Sequence, residues 1–352
     1  MIGYYVHHHG SGHRQRALAI AAHLGADITL LGSLGPASGV PGAYVELPRD
    51  DTPRPDPRSD VTAGGSLHWA PLQHEGLRAR HAMLARWLST TPARLLVSDV
   101  SVEAVLLARL LSVPPVVVAQ RGIRDDRAHA AGYDAAVRIV APWTRTTQHP
   151  WPSQWLAKTT WVGLVSRFDG RSRVPARCDL AGTCVVLLLG QGGHGLSPAH
   201  LAEVAAVDGV HWHVLGDPPA LPDLAPGDAE RLVLHGHVDD PWGQLCRADV
   251  VVSAAGGSAI ADVAAARAPL IAVPQARPFD EQNHQVRVLA RQGLCVGVDP
   301  WPTRAAWPAL LEQARAWGGA GWAELSDGGG ARRAAAVLAE LANRRWSGAA
   351  SA

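Results

Sequence analysis

Lysine is nearly missing from this 352-residue chain, since Lys158 is the only one. That removes lysine-dependent chemistry from every other position. No Gly-Lys-Ser/Thr ending exists to reach nucleotide phosphates, which excludes a P-loop. Cysteine is scarce as well. Cys178, Cys184, Cys246 and Cys295 form no C-x-x-C pair, so neither a disulfide framework nor a Cys-rich zinc site is expected, and a reduced, cytoplasmic setting is. Neither sign of charge dominates: 32 Lys plus Arg face 31 Asp plus Glu, which leaves no field to hold nucleic acid. No uncharged apolar run approaches the ~18 residues of a membrane helix. The apolar residues 2 to 6 are followed at once by Gly, His and Arg, so no signal-peptide core is expected either.

What is present describes a loop-punctuated globular protein. Apolar residues reach 47%, charged residues only 18%, and there are 36 Gly and 26 Pro; at ~150 residues per domain the length suggests two domains. Short apolar runs alternate with helical stretches at 2 to 6, 27 to 31, 43 to 47, 94 to 99, 115 to 119 and 137 to 141. A second series follows at 183 to 190, 211 to 216, 231 to 236, 249 to 256, 269 to 274 and 294 to 298. This alternation predicts two α/β domains, each around a mostly parallel, doubly covered sheet. The polar stretch 166 to 182, broken by Gly and Pro, is the linker candidate and sets the domains at 1–170 and 171–352. Residues 331 to 345 space Ala, Val and Leu as an amphipathic helix, assigned to the second domain.

Two glycine turns carry the chemistry. The first strand runs into His9-Gly10-Ser11-Gly12-His13 and then a helical pattern, so free N–H groups and a positive dipole end favour an anion there. A dinucleotide fingerprint fails because Gln15 stands where its third glycine belongs. The second turn, Gly256-Gly257-Ser258, opens the helix that carries Asp262, and it offers backbone donors for a diphosphate. After the next strand, Asp280, Glu281, Gln282 and Asn283 form a dense polar run suited to sugar hydroxyls.

From Val250 to Gly293, the G-G-S turn, the acid on the following helix, I-x-V-P and E-Q-N resemble the donor-nucleotide half of GT-B glycosyltransferases, most closely family 28. GSGHRQRA resembles that family's first glycine loop, and LHGHVDD at 234 to 240 its base-binding segment. The resemblance implies two Rossmann-like doubly wound domains facing each other across a cleft, with acceptor bound by the first and donor by the second. It implies that the backbone at His237 and Val238 holds uracil, that Gly256, Gly257 and Ser258 hold the diphosphate, and that Asp262 holds the ribose. Glu281 and Gln282 would then meet the sugar, with Gly12 and Gly192 at the cleft mouth. The family carries Glu where this chain has Asp262. GT-A enzymes recruit a metal through D-x-D, whereas Asp50-Asp51, Asp125-Asp126 and Asp239-Asp240 are adjacent pairs. Transfer without metal or further cofactor is therefore expected, the UDP-sugar acting as co-substrate.

An imidazole suits removal of a proton from an attacking hydroxyl, and a carboxylate beside it fixes its tautomer. His13 is the expected base. Asp99, at the end of a strand in the same sheet, should emerge on the same C-terminal edge as its partner. Plainer roles are a helix start for His13 and N-caps for Asp99 and Ser258. His7 to His9 read as a polar strand end with no carboxylate companion, and Arg121 as an ion-pair partner of Asp125 or Asp126. The stretch 75 to 96 pairs Leu77, Leu84 and Leu88 with Arg78, Arg80 and Arg86. Such a helix can lie on an anionic membrane, at its inner face, though core packing is the commoner reason for the pattern. Trp143, Trp151, Trp155 and Trp161 suggest interdomain packing. The same architecture would serve a sugar-nucleotide 2-epimerase or a non-catalytic sugar-nucleotide-binding partner, and neither acceptor nor oligomeric state is legible.

Overall fold

The structure is a computed structural model that describes residues 1–8, 10–33, 35, 39–145, 151–173, 182–190, 192–221 and 223–346. His9, Cys178, Gln191 and linker residues 174–181 lie outside the described residues.

In the first domain, β1 (Ile2–Val6), β2 (Ile28–Gly32), β3 (Ala43–Glu46), β4 (Leu95–Asp99), β5 (Pro115–Val118), β6 (Arg138–Ala141) and β7 (Thr159–Trp161) build one parallel sheet. Its order is β3-β2-β1-β4-β5-β6-β7. The helices are α1 (Gly12–Ala21), α2 (Glu75–Thr90), α3 (Val102–Leu110), α4 (Arg127–Ala135) and the short α5 (Ser153–Leu156). Every residue of β1, β2 and β4 is buried, as expected for strands covered by helices on both faces.

The second domain repeats the plan with β8 (Thr183–Leu188), β9 (Val210–Leu215), β10 (Leu232–Gly236), β11 (Val250–Ser253), β12 (Leu270–Ala272) and β13 (Val296–Gly297), ordered β10-β9-β8-β11-β12-β13. Its helices are α6 (Pro198–Ala205), α7 (Pro226–Ala229), α8 (Trp242–Arg247), α9 (Gly257–Ala266), α10 (Glu281–Arg291) and α11 (Trp307–Trp317). All twelve runs read from the sequence are strands. β7 escaped that reading because three residues, Thr-Thr-Trp, carry no period.

Two expectations are corrected by the packing, and the core reading of α2 holds. The last helix, α12 (Gly330–Asn343), was assigned to the second domain, yet Ala331, Ala334, Ala335, Leu338 and Leu341 share a core with Ile2, Tyr4, Ile20 and Leu95 of the first. Its apolar stripe covers the face of the first sheet beside α1. The tryptophans pack mainly within one domain: Trp143, Trp151 and Trp155 share a core with Tyr133 and Trp161 inside the first. In α2 the stripe of Leu77, Leu84 and Leu88 is core. Arg80 joins it fully buried, donating to the Tyr5 hydroxyl at 2.8 Å and to the Pro48 carbonyl. Among the described residues no helix is long and apolar enough to cross a membrane.

Candidate active site

The order of each sheet reverses its winding once, between β1 and β4 and again between β8 and β11. Loops diverge at such points and leave a crevice at the C-terminal strand ends. Val6 pairs with Asp99 across the first reversal, and the chain leaving β1 re-enters order as α1, with His13 in its first turn. His13 Nδ1 lies 3.0 Å from Asp99 Oδ1.

Asp99 is fully buried and heavily solvated by side chains. It accepts from Arg16 Nε at 2.9 Å and Nη2 at 2.6 Å, from Gln120 Nε2 at 3.0 Å and from the Tyr4 hydroxyl at 3.2 Å. Burial pushes its carboxyl up, but the Arg16 cation and His13 more than offset this and hold it well below the usual carboxylate range. Burial and the Asp99 charge push the Tyr4 hydroxyl up, so it remains a donor. Arg16 Nη2 also lies 3.0 Å from His13 Nδ1. Nδ1 cannot serve both neighbours at once: unprotonated it accepts from Arg16, and protonated it donates to Asp99, which leaves Nε2 as the acceptor. The α3 cap is Ser101, whose side chain accepts from Ala104 N–H, so Asp99 does not cap that helix.

Across the cleft, β11 ends in a turn where Ala255 takes φ +61°. Its carbonyl accepts from buried Gln285 at 3.0 Å, and its N–H donates to Ser253 Oγ. α9 then begins at Gly257, with Gly256 as a cap that lends no side chain and no acid in the first turn. Among the described residues, no side chain caps its first N–H groups, which carry the positive end of the helix dipole. Among the described residues, nothing stands within 4 Å of a Cβ built on Gly256 or Gly257. The two glycine loops nearly touch: a Cβ on Gly12 would sit 2.6 Å from Ser258 Oγ. Between the lobes, Arg16, Gln120, Arg121, Trp143, Gly257 and Glu281 line a small cavity. The Arg121 guanidinium stacks 4.4 Å over Trp143, and burial pushes it down to about 9. Beside the turn, a cavity of about 250 Å³ opens between the loops after β8, β11, β12 and β13, lined by Gly190, Ala254, Gln275 and Trp301.

Residues 239–300 match the model of the glycosyltransferase family 28 C-terminal domain. The fold matches CalG4, the calicheamicin glycosyltransferase, with a TM-score of 0.68 at 17% identity, over 98% of this chain and 99% of that one. It matches Arabidopsis thaliana UGT89C1, complexed with UDP-L-rhamnose, at 0.70 and 15%, over 97% and 98%. It also matches Acinetobacter baumannii MurG at 0.62 and 12%, over 96% and 99%. No curated protein sequence matches. The fold is that of a GT-B glycosyltransferase, and residues 239–300 resemble family 28.

On this GT-B frame the expected donor residues divide. Gly256, Gly257 and Ser258 stand at the open turn. Gly192 faces the first loop, its Cα 3.9 Å from a Cβ built on Gly10. His237 follows β10, exposed and 3.1 Å from Asp239, while Val238 packs on the second core. Asp262 is corrected: it is buried, with Oδ1 accepting from Ser166 at 2.7 Å and Oδ2 from Arg167 at 3.0 Å. Burial pushes its carboxyl up despite Arg167. Both oxygens are committed to the segment leading out of the first domain, and Arg167 is the less buried member of the pair. Gln282 is also largely committed, buried with Oε1 accepting from Gln275 N–H at 2.8 Å. Glu281 lines the cleft but pairs with Arg124 of the first domain at 3.0 Å.

The polar strand end is corrected too, because folding brings Asp51 and Asp50 to 3.3 and 3.6 Å from His8. That trio and His68, Asp126 and His129 are spaced as metal ligands could be. In the second group hydrogen bonds already join Asp126 to both histidines, with Arg124 Nη1 3.2 Å from His129. Sequence reasoning missed Tyr4, Arg16, Gln120 and Gln285. Only their positions at strand ends and helix starts of the crevice could have marked them.

Proposed function

We propose that this GT-B glycosyltransferase moves a sugar from a nucleoside diphosphate, with UDP as the nucleotide, to an acceptor hydroxyl, inverting the anomeric carbon without a metal ion. The observation that carries the proposal is the 3.0 Å contact of His13 with Asp99, set across the cleft from a helix start free of side-chain caps. His13 is the general base: its Nδ1–H donates to Asp99, and Nε2 takes the acceptor proton as that oxygen bonds to the anomeric carbon. The bond from that carbon to the diphosphate breaks, and the leaving charge moves toward Gly256–Ser258, where the N–H groups of α9 stabilise it. The sugar nucleotide in the Arabidopsis neighbour supports a uridine donor.

Thermal-shift measurements against UDP, dTDP, GDP and their sugars test the nucleotide. UDP is expected to stabilise the wild type, with the shift lost in Ser258→Asp, where a carboxylate opposes the phosphates; stabilisation by NAD alone overturns the reading. Slow UDP release from UDP-sugar should vanish in His13→Ala while UDP binding survives. An epimerised UDP-sugar formed without acceptor would reassign the chain as a 2-epimerase, and binding without any turnover would make it a binding partner. EDTA should leave turnover unchanged; loss restored by magnesium refutes metal independence.

A further inference from the structure

The segment joining β12 to α10 does more than lead into the polar run. Phe279 and Asp280 hold φ of +62° and +54°, a conformation that bulky L-residues take only when their surroundings impose it. The surroundings of Phe279 belong to the first domain. Its carbonyl accepts from Ile123 N–H at 2.7 Å. Its ring meets His129 edge-on at 4.7 Å and His68 at 5.2 Å, and the Arg124 guanidinium lies 4.5 Å over it. Opposite stands Gly122, at φ +106°, where a Cβ would come within 2.4 Å of the Phe279 carbonyl and 3.1 Å of Glu281 Cα. Two backbones therefore pass at a distance that no side chain permits.

Glu281 opens α10 immediately after the left-handed pair, so its direction follows from theirs. Arg124 reaches it from the other lobe at 3.0 Å while stacking on Phe279. One cation thus contacts both the strained turn and the carboxylate behind it. Two adjacent left-handed residues are braced by contacts from the other domain.

We propose that Phe279–Glu281 is a strap that holds the two lobes closed, and that Arg124 is a positioning residue that sets Glu281 toward the sugar of the donor. The Arg124 role rests on the donor reading above; the strap does not. Two measurements on the full chain separate them. Hydrogen exchange at the Ile123 amide reports closure directly, because its acceptor lies in the other domain. Protection is expected in the wild type, and it should fall at least tenfold in Phe279→Ala and in Gly122→Val, with β8 to β13 amides unchanged and Phe279→Tyr restoring protection. An Ile123 amide that exchanges freely in the wild type, or as slowly in Phe279→Ala, overturns the strap. For Arg124→Gln, the KM for UDP-glucose should rise about tenfold while the affinity for UDP, which lacks the sugar, moves less than twofold; Arg124→Lys should recover part of the loss. Equal changes for both ligands overturn the positioning role. A wild type that binds no sugar nucleotide overturns the donor reading and the Arg124 role together, and leaves the strap to the exchange data.

Discussion

Asp99 is worth most where it is least visible. Its carboxylate has no exposure and answers the buried cation of Arg16 through two hydrogen bonds. Removing one partner of such a pair strands the other, at ~3–5 kcal/mol. Asp99→Ala should therefore lower the unfolding free energy from urea melts by an amount in that range, and a neutral result would show that Arg16 finds another partner. A different residue governs mild acid. Burial lowers His129 to about 4, against its hydrogen bond to the Asp126 carboxylate and alongside the repulsion of Arg124 and His68. Its folded pKa lies below the ordinary ~6.5, so between those values the unfolded chain binds more protons and stability falls as pH falls. Between pH 7 and 5 that amounts to about 2 kcal/mol. Urea melts should show the slope in the wild type and a flatter one in His129→Gln.

At the level of elements, the Gly256–Ser258 turn is shaped by a helix that does not belong to it. Gln285 sits one turn into α10, buried, and holds the Ala255 carbonyl, while Gln282 holds the Gln275 amide. Gln282 and Gln285 are thus scaffolding for two loops. Gln285→Leu removes the donor and leaves that carbonyl unanswered at ~1–3 kcal/mol. The left-handed Ala255 should then relax, and UDP affinity should drop several-fold with little change in the pH profile of turnover. Isothermal titration decides, and unchanged affinity would mean that the turn holds its shape without the side chain. The sequence marked both glycine turns because glycine doublets before a helical pattern are local signals. It could not mark Gln285, whose target lies thirty residues away in the chain.

For the whole molecule, the two-domain description hides a return crossing. α12 follows the second domain in the chain but fills the core of the first, where Ala334 and Leu338 are fully buried or nearly so. Residues 1–170 expressed alone should therefore fail to give a cooperative urea transition. Within the full chain Leu338→Ala should cost ~2–5 kcal/mol, the range for a buried leucine truncated to alanine. A cooperative 1–170 fragment would show that the crossing is dispensable.

The chain itself determined the β-α alternation, the two parallel sheets, the glycine turns, and the candidacy of His13 and Asp99. All of these are written in periods of two to four residues or in which strand end a residue occupies. Only the tertiary structure decided that Arg16 shares Asp99 with His13, that Asp262 turns inward to Ser166 and Arg167, that Glu281 is held by Arg124, and that the last helix returns to the first domain. Each of those outcomes depends on which partners meet across 80 residues or more, and burial rather than residue type sets the partner: a carboxylate removed from water takes the nearest donor the fold supplies.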